Sequence, residues 1–254
     1  MRLSRGGFIF MHMRGLVVVF LLLLLSTFLP AQTPTPSPSP SSSPSTTGNF
    51  IKDVGKDEKA LVTKPFKMGK PELKWIIPLT LATGAVIAAD RHTSGWVSRG
   101  GSLAPVAHKI SWGGSLYTTG ALSGGLYLLG RSRGDDHLRE TGRLSLEALV
   151  DVALLTEGLK YTFQRSRPNV DGGSGEFWEG GKSFPSGHAS QSWAVATVIA
   201  HEYKDRKWIK IAAYAAAATI SASRYAGRNH FVSDIVVGSA LGYGTGLLVY
   251  RMHH

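Results

Sequence analysis

The chain has 254 residues, with 28 Lys and Arg against 17 Asp and Glu, a net charge of +11, 9 His and no Cys. That length suits one domain with extensions or two small ones, and 43% hydrophobic residues can bury a real core, so global disorder is excluded. The missing cysteines exclude a disulfide framework, a thiolate zinc site, an iron–sulfur cluster and a cysteine nucleophile.

Arg2, Arg5 and Arg14 precede an uncharged apolar run from Gly15 to Leu29, followed by Pro30-Ala31-Gln32. A basic start, an apolar stretch and small residues after it read as an export signal over 1–32, with an uncleaved anchor as the competing reading. Residues 33–49 are almost entirely Pro, Ser and Thr, which favours an extended, solvated tether. Residues 50–70 are Lys-rich without clear periodicity and read as an irregular leader, so a single domain is expected over 71–254.

From Leu73 onward the pattern becomes helical, with apolar stretches near 75–89, 106–130, 144–159, 188–201, 208–222 and 235–250. Polar punctuation such as 131–136 and 202–207 separates them. The expectation is an all-α bundle of about six helices, with no alternating strand pattern. Most stretches fall short of a membrane span, and 144–159 carries Glu147, Asp151 and Glu157, costly in lipid unless they face a partner. The basic residues at 131–143 and 202–210 admit two arrangements. One is an exported bundle without spans, which the balance slightly favours; the other has six spans plus a seventh crossing.

Three clusters carry chemistry. They are Lys160 followed after six residues by Arg167-Pro168, then Pro185-Ser186-Gly187-His188, then Ser223-Arg224 with His230 and Asp234. Each has a plain reading by itself. Lys160 and Arg167 suit a solvated helix end, Ser186 suits a helix N-cap, and His230 with Asp234 suits an ordinary pair one turn apart. Together they supply three cations, a hydroxyl and helix N-terminal amides for an oxyanion, with two histidines for nucleophile and proton donor. Asp234 is placed to hold the Nδ1–H of His230 and leave Nε2 free.

These clusters resemble the three signature motifs of the type 2 phosphatidic acid phosphatase (PAP2) superfamily, Lys-x6-Arg-Pro, Pro-Ser-Gly-His and Ser-Arg-x5-His-x3-Asp, and every specified position is matched in order. The resemblance implies an all-α fold and a phosphatase in which His230 attacks phosphorus, Asp234 orients it, and His188 protonates the leaving oxygen. It implies that Lys160, Arg167, Ser186, Gly187 and Arg224 hold the phosphate, with Ser223 supportive. No metal or other cofactor is implied, no carboxylate cluster for one is evident in the sequence, and vanadate enters only as a phosphate mimic. The partners expected are a phosphorylated lipid, a polyprenyl diphosphate or a small phosphoester, with a membrane surface as a further candidate and nucleic acid excluded by export. The related vanadium haloperoxidases, in which His230 would ligate vanadate, are the alternative enzyme class. A non-catalytic basic envelope protein is the third reading.

Residues 169–184 join the first two motifs through a Gly-rich loop carrying Phe177 and Trp178. That aromatic pair reads equally as a cover for the site, a contact for a lipid tail, or an anchor docking the loop on the bundle. Arg165, two residues before Arg167, reads as a surface charge, with added positive potential for the site as the other reading.

Overall fold

Eight α-helices and no strand occur among the residues that the computed structural model describes, 47–63, 70–97, 104–170 and 174–254. The leader expected at 1–32 and the low-complexity stretch 33–46 lie outside the described residues. In chain order the helices are α1 (Thr47–Thr63), α2 (Lys70–Ser94), α3 (Ala104–Ser111), α4 (Leu116–Arg133), α5 (Asp136–Phe163), α6 (Gly187–Glu202), α7 (Lys207–Ala226) and α8 (Val232–His253). The all-α reading holds, with three differences in detail.

First, the apolar stretch 106–130 is not one helix. A 3₁₀ turn at Trp112–Gly114 divides it, and Ser115 then caps α4 by accepting the Thr118 N–H at 3.2 Å. Second, α5 begins well before residue 144. Asp135 caps it by accepting the Leu138 N–H at 2.9 Å, and the charges of its first turns pair along one face, Arg139 with Asp136 at 3.0 Å and Arg143 with Glu140 at 2.7 Å. Polar residues there continue the helix instead of interrupting it. Third, residues 47–63, taken from the end of the expected tether (33–49) and most of the expected irregular leader (50–70), form α1, which packs on α5 and α8. Asp53, Asp57 and Leu61 lie four apart and turn inward together. A face that mixes acids with leucine does not read as an apolar stripe.

The core is the junction of α5, α6 and α8. Leu144, Ala148 and Val152 of α5 meet Ala194 and Val198 of α6 and Val249 of α8, all buried. Along the α6–α8 contact small residues recur every fourth position on both helices. A Cβ on Gly238, Gly242 or Gly246 would fall on the carbonyl oxygen of Ser186, Ser190 or Ala194 respectively. This seam sets the two helices at close range and brings their N-terminal ends, with His188 and Asp234, to the same end of the bundle. One described helix, α8, is long and apolar enough to cross a membrane, and 67% of its most apolar stretch is buried inside the protein.

Candidate functional site

Lys160 lies in the last turn of α5, which stops at Gln164 in a left-handed conformation (φ 43°). Arg167 and Pro168 follow at once, so the helix end presents Lys160 and Arg167 toward the same region. Lys160 Nζ is held by Glu157 of the same helix at 2.5 Å. Arg228, from the stretch between α7 and α8, donates to the Pro168 carbonyl at 3.1 Å and to the Ser94 carbonyl at 2.8 Å. It thereby ties the Arg-Pro turn to the end of α2.

The Phe184–Pro185 peptide is cis, and Ser186 occupies the N-cap position of α6. Its hydroxyl makes no capping hydrogen bond and, although buried, has no partner. The plain N-cap reading of Ser186 therefore fails, and a buried unpartnered hydroxyl is left for a ligand. A Cβ on Gly187 would lie 3.1 Å from Lys160 Nζ, so the first amides of α6 and the Lys160 ammonium share one small volume. The backbone N–H of Ser186 donates to the Asp234 carbonyl at 3.0 Å, locking the second cluster to the third.

Arg224 ends α7, buried, with Nη1 donating to Ser111 Oγ at 3.0 Å and Nε without a partner. His230 is buried just before α8, and its Nδ1 lies 2.8 Å from the Ser183 carbonyl oxygen. A carbonyl only accepts, so Nδ1 carries the proton and Nε2 keeps its lone pair. Asp234 Oδ2 stands farther off, 3.4 Å from the same nitrogen. The carboxylate expected to hold Nδ1–H is thus at that nitrogen, with the Ser183 carbonyl closer still. The Ser183 carbonyl fixes the tautomer, and Asp234 adds negative charge beside the ring.

Asp234 is itself held from several sides. Its carboxylate accepts from Arg165 Nη1 at 2.7 Å, Ser183 Oγ at 2.5 Å and the Phe231 N–H at 2.9 Å. Burial pushes its carboxyl up, but the His230 imidazole and the Arg165 guanidinium outweigh that and hold it below the usual range. Arg165 is not a surface charge. At 2% exposure it lies between the rings of Phe231 and Phe177, 4.2 and 4.7 Å from their centroids, and its Nη2 reaches Asp90 Oδ2 on α2 at 2.8 Å. Ser233 donates to the same Asp90 oxygen through its hydroxyl and to the other through its N–H. Asp90, Arg165, Ser183 and Ser233 were missed by sequence reasoning. None is hydrophobic or adjacent to a partner in sequence, and Arg165 stands two residues before Arg167 like any helix-end charge.

Positive charge dominates the site. Burial, then the charges of Arg224, His230, Lys160 and Arg167, hold the His188 imidazole down to about 3. Burial likewise lowers His230 against the pull of Asp234, and burial with Arg167 brings Arg224 to about 10. Both histidines are neutral at pH 7 when no anion is bound. All eight residues singled out from the sequence, His230, His188, Asp234, Lys160, Arg167, Ser186, Gly187 and Arg224, converge on this one end of the bundle.

The described parts of the connection between α5 and α6, 164–170 and 174–186, are docked, not extended. Phe177 and Trp178 are partly buried against Phe163 and Phe184, with ring centroids 5.3–6.4 Å apart across the cluster. Of the readings open in the sequence, anchoring is what this pair does. The surface that does flank the site is elsewhere. Gly114 abuts the backbone of His188, and beside it Trp112, Leu116 and Tyr117 are exposed.

Residues 144–254 match the family model described as the PAP2 superfamily. Over 92 residues the chain is 37% identical to the lipid A 1-phosphatase of Porphyromonas gingivalis, an overlap of 36% of this chain and 19% of that protein. Over 147 residues it is 29% identical to a PA-phosphatase related-family protein of Dictyostelium discoideum, covering 51% of this chain and 54% of the relative. The chain thus spans about a fifth and about half of these two relatives. The crystal structure of Aquifex aeolicus LpxE shares the fold, with a TM-score of 0.52 at 22% identity, over 65% of this chain and 94% of that one.

Proposed function

We propose that this chain, whose residues 144–254 match the PAP2 superfamily model, is a PAP2-type phosphatase acting on a phosphorylated lipid. The observation that carries the chemistry is the His230 Nδ1 contact with the Ser183 carbonyl at 2.8 Å, which leaves Nε2 unprotonated beside the buried Arg224 and the partly buried Lys160 and Arg167. His230 Nε2 attacks phosphorus, the bond from phosphorus to the leaving oxygen breaks, and phosphohistidine forms. Asp234 balances the positive charge that the ring then carries. Lys160, Arg167, Arg224, the Ser186 hydroxyl and the Gly187 amide hold the phosphoryl oxygens. Lys160 exchanges Glu157 for the substrate.

His188 gives its proton to the leaving oxygen and then takes one from the water that hydrolyses the phosphohistidine. In the free protein the same cations keep His188 neutral, so the proton arrives with the substrate. A phosphate anion offsets the charges of Arg224, Lys160 and Arg167 and restores the basicity of His188. Side chains supply the positive charge for both steps in this scheme, so no cofactor takes part, and vanadate competes with substrate.

The lipid class is supported by the exposed Trp112, Leu116 and Tyr117 beside the His188 turn, a place for an apolar tail next to the phosphate. The relatives named for lipid A and phosphatidic acid chemistry point the same way. We further infer an exported protein, with residues 1–32 as its leader, on the strength of the basic start and apolar run there. Phosphate release from phosphatidic acid or lipid A in mixed micelles, compared with p-nitrophenyl phosphate, tests the substrate class. Preference for the lipids supports it, and turnover confined to the soluble ester contradicts it.

A further inference from the structure

A second group of ionisable side chains lies away from the phosphate site, where α1 crosses α5 and α8. Asp53 and Asp57 come from α1, Glu147 and Asp151 from α5, and His253 from the end of α8. One ligand atom each from Asp53, Glu147 and His253 lie within 4.8 Å of one another. His253 Nε2 is 2.7 Å from Glu147 Oε1, and Arg143 Nη1 is 3.0 Å from Glu147 Oε2 and 3.6 Å from Asp53 Oδ2. Asp57, Glu147 and Asp151 are fully buried.

Acids outnumber bases at this junction. Arg143 is spread over Glu140, Glu147 and Asp53, and Lys56 reaches only Asp53, at 3.2 Å. No donor reaches either carboxylate oxygen of Asp57 or of Asp151. Asp57 nevertheless lies against Glu147 and Asp151, close enough for the acids to hydrogen-bond one another whenever one of them is protonated. Buried carboxylates without donors are expensive, and a group of them on α1 and α5, with His253 of α8 beside them, calls for a shared cation.

We propose that this junction is a divalent-cation site, binding one transition-metal ion of the Zn²⁺ or Mn²⁺ kind between Asp53, Glu147 and His253, with the carboxylates of Asp57 and Asp151 directed into the same space. Carboxylate and imidazole donors without thiolate suit that class of ion. His253 binds through Nε2 in its Nδ1–H tautomer. Arg143, whose Nη2 now contacts Nδ1 at 3.2 Å, then stays with Glu140, which it already grips through Nε and Nη2. The ion clips α1 and the C-terminal turn of α8 to the middle of α5. Along α5 Glu147 and Lys160 are 13 residues apart, about 20 Å, so the site acts on stability and not on phosphoryl chemistry.

The test uses the full chain stripped with EDTA, titrated with ZnCl₂ and with MnCl₂ in phosphate-free buffer at pH 7.5, by calorimetry and by thermal unfolding. One ion per chain and a Tm rise of about 5 °C at a hundred times its Kd are expected. Asp57→Asn breaks no ion pair, since Asp57 has no donor partner; it is expected to fold, to keep phosphate release, and to lose most of the rise. Glu147→Gln is expected to lose it too. The proposal is overturned if the wild type binds neither ion stoichiometrically, or if the rise persists undiminished in Asp57→Asn.

Discussion

Arg165 Nη1 lies 2.7 Å from Asp234 Oδ1, with both side chains buried, and the same guanidinium reaches Asp90 on α2 at 2.8 Å. One arginine thus joins the N-terminal part of the bundle to the carboxylate beside His230. Replacing it leaves two buried acids without their counter-charge. Arg165→Ala is expected to cost about 3–5 kcal/mol in urea unfolding, because breaking one side of a buried ion pair strands the other. Asp90→Asn, which keeps a hydrogen-bonding group, is expected to cost less. Equal stability of Arg165→Ala and wild type contradicts the structural role given to this network.

Acid sensitivity follows from His188. Its folded value is held near 3 against an ordinary 6.5, so between those values the unfolded chain binds a proton that the folded protein does not. Stability therefore falls as pH drops through 6.5 toward 3, with a limiting slope of ~1.4 kcal/mol per pH unit that partial exposure reduces. His188→Gln is expected to flatten the dependence of urea midpoints between pH 7 and pH 5 by part of that amount. His230, lowered also, keeps a share of it. A bound vanadate should flatten the wild-type dependence as well, because the anion raises His188. An unchanged slope in His188→Gln contradicts the assignment.

The α6–α8 seam makes a prediction about spacing. A methyl at Gly242 has nowhere to go, since the Ser190 carbonyl oxygen occupies its place, whereas one at Gly124 on α4 meets nothing within 4 Å. Gly242→Ala is expected to destabilise by about 1–3 kcal/mol and to lower kcat, because α6 and α8 carry the two histidine-bearing ends. Gly124→Ala is expected to be neutral or to stabilise by about 0.5–1 kcal/mol. Thermal unfolding and kcat measured on the pair check both halves.

Substrate class should divide at the exposed surface beside the 3₁₀ turn. Trp112→Ser is expected to raise KM for a lipid phosphate in micelles about tenfold, the loss of roughly one buried aromatic contact. It should leave KM for p-nitrophenyl phosphate near its wild-type value. Parallel changes on both substrates would assign Trp112 to the fold instead of the tail.

What the sequence made legible was set by local spacing. Lys160 to Pro168, Pro185 to His188 and Ser223 to Asp234 are each contiguous, so their chemistry could be read without knowing how the chain folds back. Asp90, Arg165 and Ser183 could not, because their role arises only when α2 and the 164–186 loop meet the start of α8. The same holds for Asp53, Glu147 and His253, spread from α1 to the C-terminal turn, where no carboxylate cluster was expected. Helix α1 escaped notice because its inward face carries Asp53 and Asp57 with Leu61, a pattern whose burial depends on Arg143 and Glu147 opposite. The docking of Phe177 and Trp178 was one of several open readings, since a Gly-rich loop fixes nothing about which surface its aromatics meet.

In the proposed mechanism His230 Nε2 becomes covalently phosphorylated. This step is tested by quenching the full chain during turnover of a ³²P-labelled lipid phosphate and measuring protein-bound label. An acid-labile, alkali-stable phosphoryl adduct on His230 is expected to build up in His230-intact protein and to be absent, along with turnover, in His230→Ala. Near-normal phosphate release by His230→Ala, or label bound to that variant as in the wild type, would contradict it.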